Sequence, residues 1–133
     1  MRSCTSILAR EYWLDGRRQN NCSCLFLSFD DGCSYKVFFD DGDDRWRLVE
    51  TVTPQERTLQ GEKGVHFPHR QYLPAYMEAG YLQRYASVDH GLLLGFSSGL
   101  EISLSHDAGR DVETMLVILP GGKSKAAYQE CRL

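Results

Sequence analysis

Long apolar runs are what this sequence most clearly lacks, since none approaches the ~18 residues a membrane-spanning helix needs. Near the N-terminus only Ile7–Ala9 is continuously apolar, too short for the core of a secretory signal peptide. The expectation is therefore a cytosolic protein. Nucleophile and cofactor signatures are missing too: there is no G-x-S-x-G, and no glycine-rich loop that follows a strand and opens a helix. Gly121-Gly122-Lys123-Ser124 has the ending of a phosphate-binding loop, but Val117 stands where that pattern needs its first glycine. No C-x-x-C pair occurs. The five cysteines, Cys4, Cys22, Cys24, Cys33 and Cys131, are odd in number and irregularly spaced, which with no signal peptide favours reduced thiols over a disulfide framework. A formal net charge of −3 gives nucleic acid no general attraction to the chain. No cofactor or metal is called for, and the chain is not expected to be an enzyme.

What the sequence does have is a duplication. Leu25–Asp44 returns as Leu92–Asp111, with Leu25, Leu27, Phe29, Gly32, Asp40, Gly42 and Asp44 matched by identical residues sixty-seven positions on. Apolar residues alternate with polar ones in both copies, the period-2 pattern of a strand with one buried face. Asp30-Asp31-Gly32 and Ser97-Ser98-Gly99 are tight-turn clusters. Second turns at Asp40–Asp44 and His106–Arg110 lead into apolar strands over 45–52 and 112–119. Upstream, Leu8–Tyr12 before Asp15-Gly16 resembles Leu82–Tyr85 before Asp89-His90-Gly91. The predicted fold is mainly β, of α+β type: two related antiparallel meanders, 8–52 and 82–119, giving about eight strands in a barrel or sandwich. One domain is expected at this length.

Between the meanders, residues 53–80 read as a helical connector. Thr53-Pro54-Gln55-Glu56 has the makings of a capped helix start, with Gly61 as its stop. Leu73, Tyr76, Met77 and Gly80 have helical spacing for a second short helix. Arg17–Asn21 reads as an exposed hairpin loop. His90 and His106 fall in predicted turns and read as solvated. Cys22 and Cys24, two apart on a strand, are expected on one face, where supporting metal ligands are lacking.

Two function classes fit. The alternation with its F-x-x-G turn, over Leu25–Val37 and Leu92–Leu104, resembles small bacterial immunity proteins. That resemblance implies an intracellular inhibitor that neutralises a cognate toxin by blocking its active site; a phage-encoded inhibitor of a host effector enzyme fits as well. Asp40, Asp41, Asp43 and Asp44 would then contact a basic partner and steer its approach, with Trp46, Tyr72 and Tyr76 as apolar hot spots. The alternative is a small-ligand or metal-binding β-barrel, enzymatic or not, lined from its inward positions. Exposed sheet edges also leave room for a homodimer.

Overall fold

The computed structural model describes residues 2–52, 59–60, 64–73, 77–88, 90–110, 112–120 and 128–130. The described residues form twelve strands and no helix. Sheet A contains β1 (Cys4–Leu14), β2 (Arg17–Phe29), β3 (Ser34–Asp40), β4 (Arg45–Thr51), β5 (Leu59–Gln60), β6 (Val65–Phe67) and β7 (His69–Gln71). Its order is β4-β3-β2-β1-β6-β5, with β7 also on β1. Sheet B contains β8 (Leu82–Val88), β9 (Gly91–Phe96), β10 (Glu101–Asp107), β11 (Val112–Ile118) and β12 (Tyr128–Glu130), ordered β12-β11-β10-β9-β8. All pairings are antiparallel.

The duplication is a structural one, and it holds in register. Val37 pairs with Leu48 and Phe39 with Trp46 in sheet A, while Leu104 pairs with Met115 and His106 with Glu113 in sheet B. Each pair is the other shifted by sixty-seven, although β4 and β11 share almost no sequence. The turns match to the hydrogen bond. Phe29 N–H donates to the Cys33 carbonyl at 2.9 Å, and Phe96 N–H to the Leu100 carbonyl at 2.9 Å. Asp40 Oδ1 accepts the Gly42 amide at 2.9 Å, as Asp107 Oδ1 accepts that of Gly109 at 3.0 Å. Gly32 and Gly99 have φ of 87° and 98°, where a Cβ would be strained.

The sheets face each other across one core. Ile7, Leu25, Leu27 and Val37 from sheet A meet Leu92, Leu94, Ile102, Leu104, Met115 and Val117 from sheet B, all essentially inaccessible to water. Between the two alternatives, the hydrogen bonding gives two separate sheets, a sandwich.

The halves differ in the length of their first hairpin. β1 and β2 have 11 and 13 residues, β8 and β9 only 7 and 6. The expected loop at Arg17–Asn21 is strand, because Asp15-Gly16 already turns the chain: both have positive φ, 50° and 79°, as a two-residue hairpin turn requires. The extended β2 reaches sheet B. There the fully buried Asn21 amide donates to the Met115 carbonyl and accepts the Met115 N–H, both at 2.9 Å.

The connector is not helical where it is described. Leu59–Gln60 is a strand paired with β6, and His69–Gln71 pairs with β1; residues 53–58, 61–63 and 74–76 lie outside the described set. The long β1 explains this, since its outer edge offers a row of backbone groups that need partners. The connector supplies them: Tyr72 N–H donates to the Ile7 carbonyl at 2.8 Å, and Gln71 Oε1 accepts the Ile7 N–H at 2.8 Å. Gly80 does not stop a helix. It has a φ of 78°, and a Cβ there would collide with Ser97.

Candidate functional site

The β3–β4 turn presents its aspartates already engaged. Asp40 Oδ1 holds the turn amides, and Asp40 Oδ2 lies 3.3 Å from Arg47 Nη1. Asp43 is 2.6 Å from Arg47 and 3.7 Å from Arg45. Asp44 Oδ2 is 3.2 Å from His90 Nε2, tying this turn to sheet B. Asp41 is exposed. Two of the four carboxylates are thus paired with guanidiniums, which weakens the negative field that the sequence count implies.

Trp46 and Tyr72 are core residues, 5% and 7% exposed. Trp46 packs edge-on against Phe39 and donates its indole N–H to the His90 carbonyl at 2.8 Å. Neither side chain offers a partner an exposed ring. The period-2 pattern places Trp46 inward, in line with Leu48. Tyr76 lies outside the described residues.

A groove runs beside this turn instead. Among the described residues β4 and β8 are each the last strand of their sheet, and neither has a strand partner on its outer edge. Arg45, Trp46, Arg47 and Leu48 of β4 face Leu82 and Tyr85 of β8 across an open depression of about 500 Å³. Leu48 and Leu82 also line the adjoining cavity of about 430 Å³, with Leu27, Phe29, Tyr35, Tyr81 and Arg2. The duplication shows why it is open. In sheet B the row Leu94, Ile102, Val117 is fully buried; its counterpart in sheet A is Leu27, Tyr35, Glu50, ending in an exposed carboxylate. Arg2 caps the cavity, stacked over Phe29 and Tyr35 at 4.8 and 4.9 Å and donating to the Tyr35 hydroxyl at 2.7 Å. Tyr35 and then Asp31 hold this guanidinium in its charged form beyond the usual value. Tyr85, 44% exposed, stands on the groove wall, and burial of its ring raises the phenol's pKa.

No protein-family model matches this chain, and neither a search of curated proteins nor one of solved structures gives a match. Function therefore has to be argued from the geometry.

The thiols divide between environments. Cys22 lies in the main core, whereas Cys24 joins Leu8 and Phe26 in a second cluster on the outer face of sheet A. The expected shared face is lost at a β-bulge: Arg10 pairs with Cys24 and Tyr12 with Asn20, so three residues of β2 oppose Glu11 alone. Burial raises the Cys4 thiol to about 11 and raises Cys24 as well. Among the described residues no group of three or more His, Cys, Asp or Glu could hold a metal ion. No helix among them is long and apolar enough to cross a membrane.

One polar cluster escaped the sequence reading. Glu11, 2% exposed, has Oε2 3.0 Å from Arg18 Nη1 and 3.2 Å from Arg70 Nε, and its Oε1 accepts the Trp13 indole N–H at 2.9 Å. Asp15-Gly16 was the available signal. A two-residue turn there pairs Trp13 with Arg18 and sets Arg18 diagonal to Glu11. His106 was also misplaced: its side chain is 5% exposed, inside β10, with Nδ1 3.3 Å from Glu113 Oε2.

Proposed function

We propose that this chain is a non-catalytic protein-binding module that takes an extended segment of its partner into the groove between β4 and β8. The observation that carries this reading is the pair of strand edges flanking one apolar depression. Free edges provide main-chain donors and acceptors to an incoming strand, and the pockets beside them select its side chains. Leu48, Leu82 and Tyr85 supply apolar contact, and Tyr and Arg are the residue types that most often dominate interface energetics. Arg45 and Arg47 on the groove wall and Arg2 in the adjoining cavity each already meet an aspartate of their own chain, so the groove selects its segment by apolar side chains and main-chain hydrogen bonds.

In the finer reading the module is an inhibitor that occludes a toxin or effector enzyme, with Asp40, Asp41, Asp43 and Asp44 as contacts at the rim. Asp41 has the greatest part in that contact, because Asp40 and Asp43 already meet arginines of their own chain and Asp44 is hydrogen-bonded to His90.

The test is affinity capture with three baits: the native chain, a Leu82→Lys/Tyr85→Lys variant, and an Asp41→Lys variant, each checked for native near-UV circular dichroism. A stoichiometric partner held by the native chain and lost from the groove variant supports the proposal. Retention by the groove variant with loss from Asp41→Lys moves the interface to the turn. A partner bound equally by all three baits would sink both placements.

A further inference from the structure

Among the described residues four strands end the two sheets, β4 and β5 in sheet A and β8 and β12 in sheet B. β5 and β12 have 2 and 3 residues, too short to dock another strand firmly. β8 has 7, but its pairing with β9 slips between Leu82 and Arg84, and such an irregularity turns an edge away from further pairing. β4 is the exception. It pairs with β3 at seven consecutive residues without a shift and contains no proline. A long, regular, open edge is a template for another strand. The apolar surface gathers on the same side. Val49, Val52 and Tyr85 are the large hydrophobic side chains that the described residues leave exposed, and they lie on β4, directly after it, and on β8 across the groove.

The sequence of β4 matches its own edge. A two-fold axis at Leu48 sets all seven residues, Arg45–Thr51, against a second β4 running the other way. Arg45 then faces Thr51, Trp46 faces Glu50, Arg47 faces Val49, and Leu48 faces itself. Directly opposed residues share a face of an antiparallel sheet. On the outer face the Arg47 stem covers Val49. On the groove side the two Leu48 side chains meet beside the depression of about 500 Å³ that Leu82 and Tyr85 also line. No charge faces its own sign, and the half with Arg45 and Arg47 lies along the half with Glu50. The same surface thus serves both copies, as a two-fold interface requires.

We propose that β4 pairs with the β4 of a second copy of this chain, antiparallel about Leu48, joining two copies of sheet A into one. One strand pair is at the small end of interface sizes, so dimers form at high protein concentration. The dimer uses one wall of the groove assigned above to an outside partner, and the two compete for β4. They are tested separately, because self-association is read on the purified chain alone.

The experiment is sedimentation equilibrium of the full chain under reducing conditions, over a concentration series reaching about 1 mM. A monomer–dimer equilibrium is expected. Leu48→Glu and Leu48→Lys each put like charges together at the axis and should each weaken the dimer tenfold or more, while an equimolar mixture of the two should restore it. Both variants are checked by near-UV circular dichroism. A second measurement does not depend on their folding: in a Cys33→Ser/Cys131→Ser background, Leu48→Cys should cross-link to itself on mild oxidation, and Thr51→Cys, which faces Arg45, should not. A native chain that stays monomeric throughout the series overturns the proposal. So does a dimer that both charged variants retain, a mixture of folded variants that stays monomeric, or equal cross-linking through positions 48 and 51.

Discussion

Phe39 and His106 stack face to face, ring centroids 3.8 Å apart and planes within 8°. They are the same position of the duplicated meander, so the two halves touch here through equivalent residues. Each has a cross-strand neighbour that also corresponds, Trp46 for Phe39 and Glu113 for His106. One half answers with an aromatic pair, the other with an imidazole–carboxylate pair. Phe39→Ala opens the centre of this stack and should cost about 3 kcal/mol, as large-to-small changes of buried Phe do. Urea unfolding of native and variant chains measures it, and a loss below about 1 kcal/mol would show that the stack contributes little.

Asn21 fastens β2 to β11 by satisfying both backbone groups of Met115. Asn21→Leu keeps much of the side-chain volume but leaves a buried N–H and a buried C=O without partners, each costing about 1–3 kcal/mol. The expected destabilisation is therefore at least about 2 kcal/mol, with faster hydrogen exchange at the Met115 amide. Unchanged exchange there would contradict the assigned role.

Glu11 is buried with Arg18, so breaking the pair should cost more than its hydrogen bonds alone. Glu11→Gln leaves the Arg18 charge uncompensated, and about 3 kcal/mol of stability should be lost. Arg70→Met should cost under about 1 kcal/mol, because Arg70 is 53% exposed. Equal losses in the two variants would argue against Glu11 and Arg18 as the central pair.

Thiol titration reads the burial of the cysteines directly. At pH 8 a disulfide reagent should label Cys33, which is partly exposed, well before Cys4, Cys22 or Cys24, all buried; a Cys131→Ser background removes the one cysteine outside the described residues. Cys4 also predicts alkaline behaviour. Its thiol ionises at about 11 when folded, against 9.0 unperturbed, so between those values the unfolded state releases the proton and the folded state keeps it. Stability should fall over that interval, by about 2 kcal/mol from this group. Cys4→Ala should flatten that part of the curve.

Much of the fold was legible because strand periodicity and turn glycines are local signals. Leu92, Leu94, Ile102 and Leu104 all face inward as their alternation predicts, and the repeat pointed to matched meanders. The connector was misread because helical spacing at Leu73 and Met77 is a weak preference against the unmet edge of β1, a demand set by residues sixty-odd positions away. The aspartate turn was visible, but its neutralisation depended on Arg45 and Arg47 pointing back along the hairpin. The groove had no local signature at all. It exists because Tyr35 and Glu50 replace what would be a buried row, a difference that shows only when the two sheets are laid over one another.

Each sheet is drawn from one continuous stretch of chain, 4–71 for sheet A and 82–130 for sheet B. Every strand pairing lies within one of these two stretches, and the inner faces of the sheets join the stretches to each other. A break in the main chain after β7 would therefore divide the molecule into two separately synthesised fragments, each with one half of the dry interface. Such fragments would recombine on mixing, which makes this architecture a ready scaffold for a split reporter.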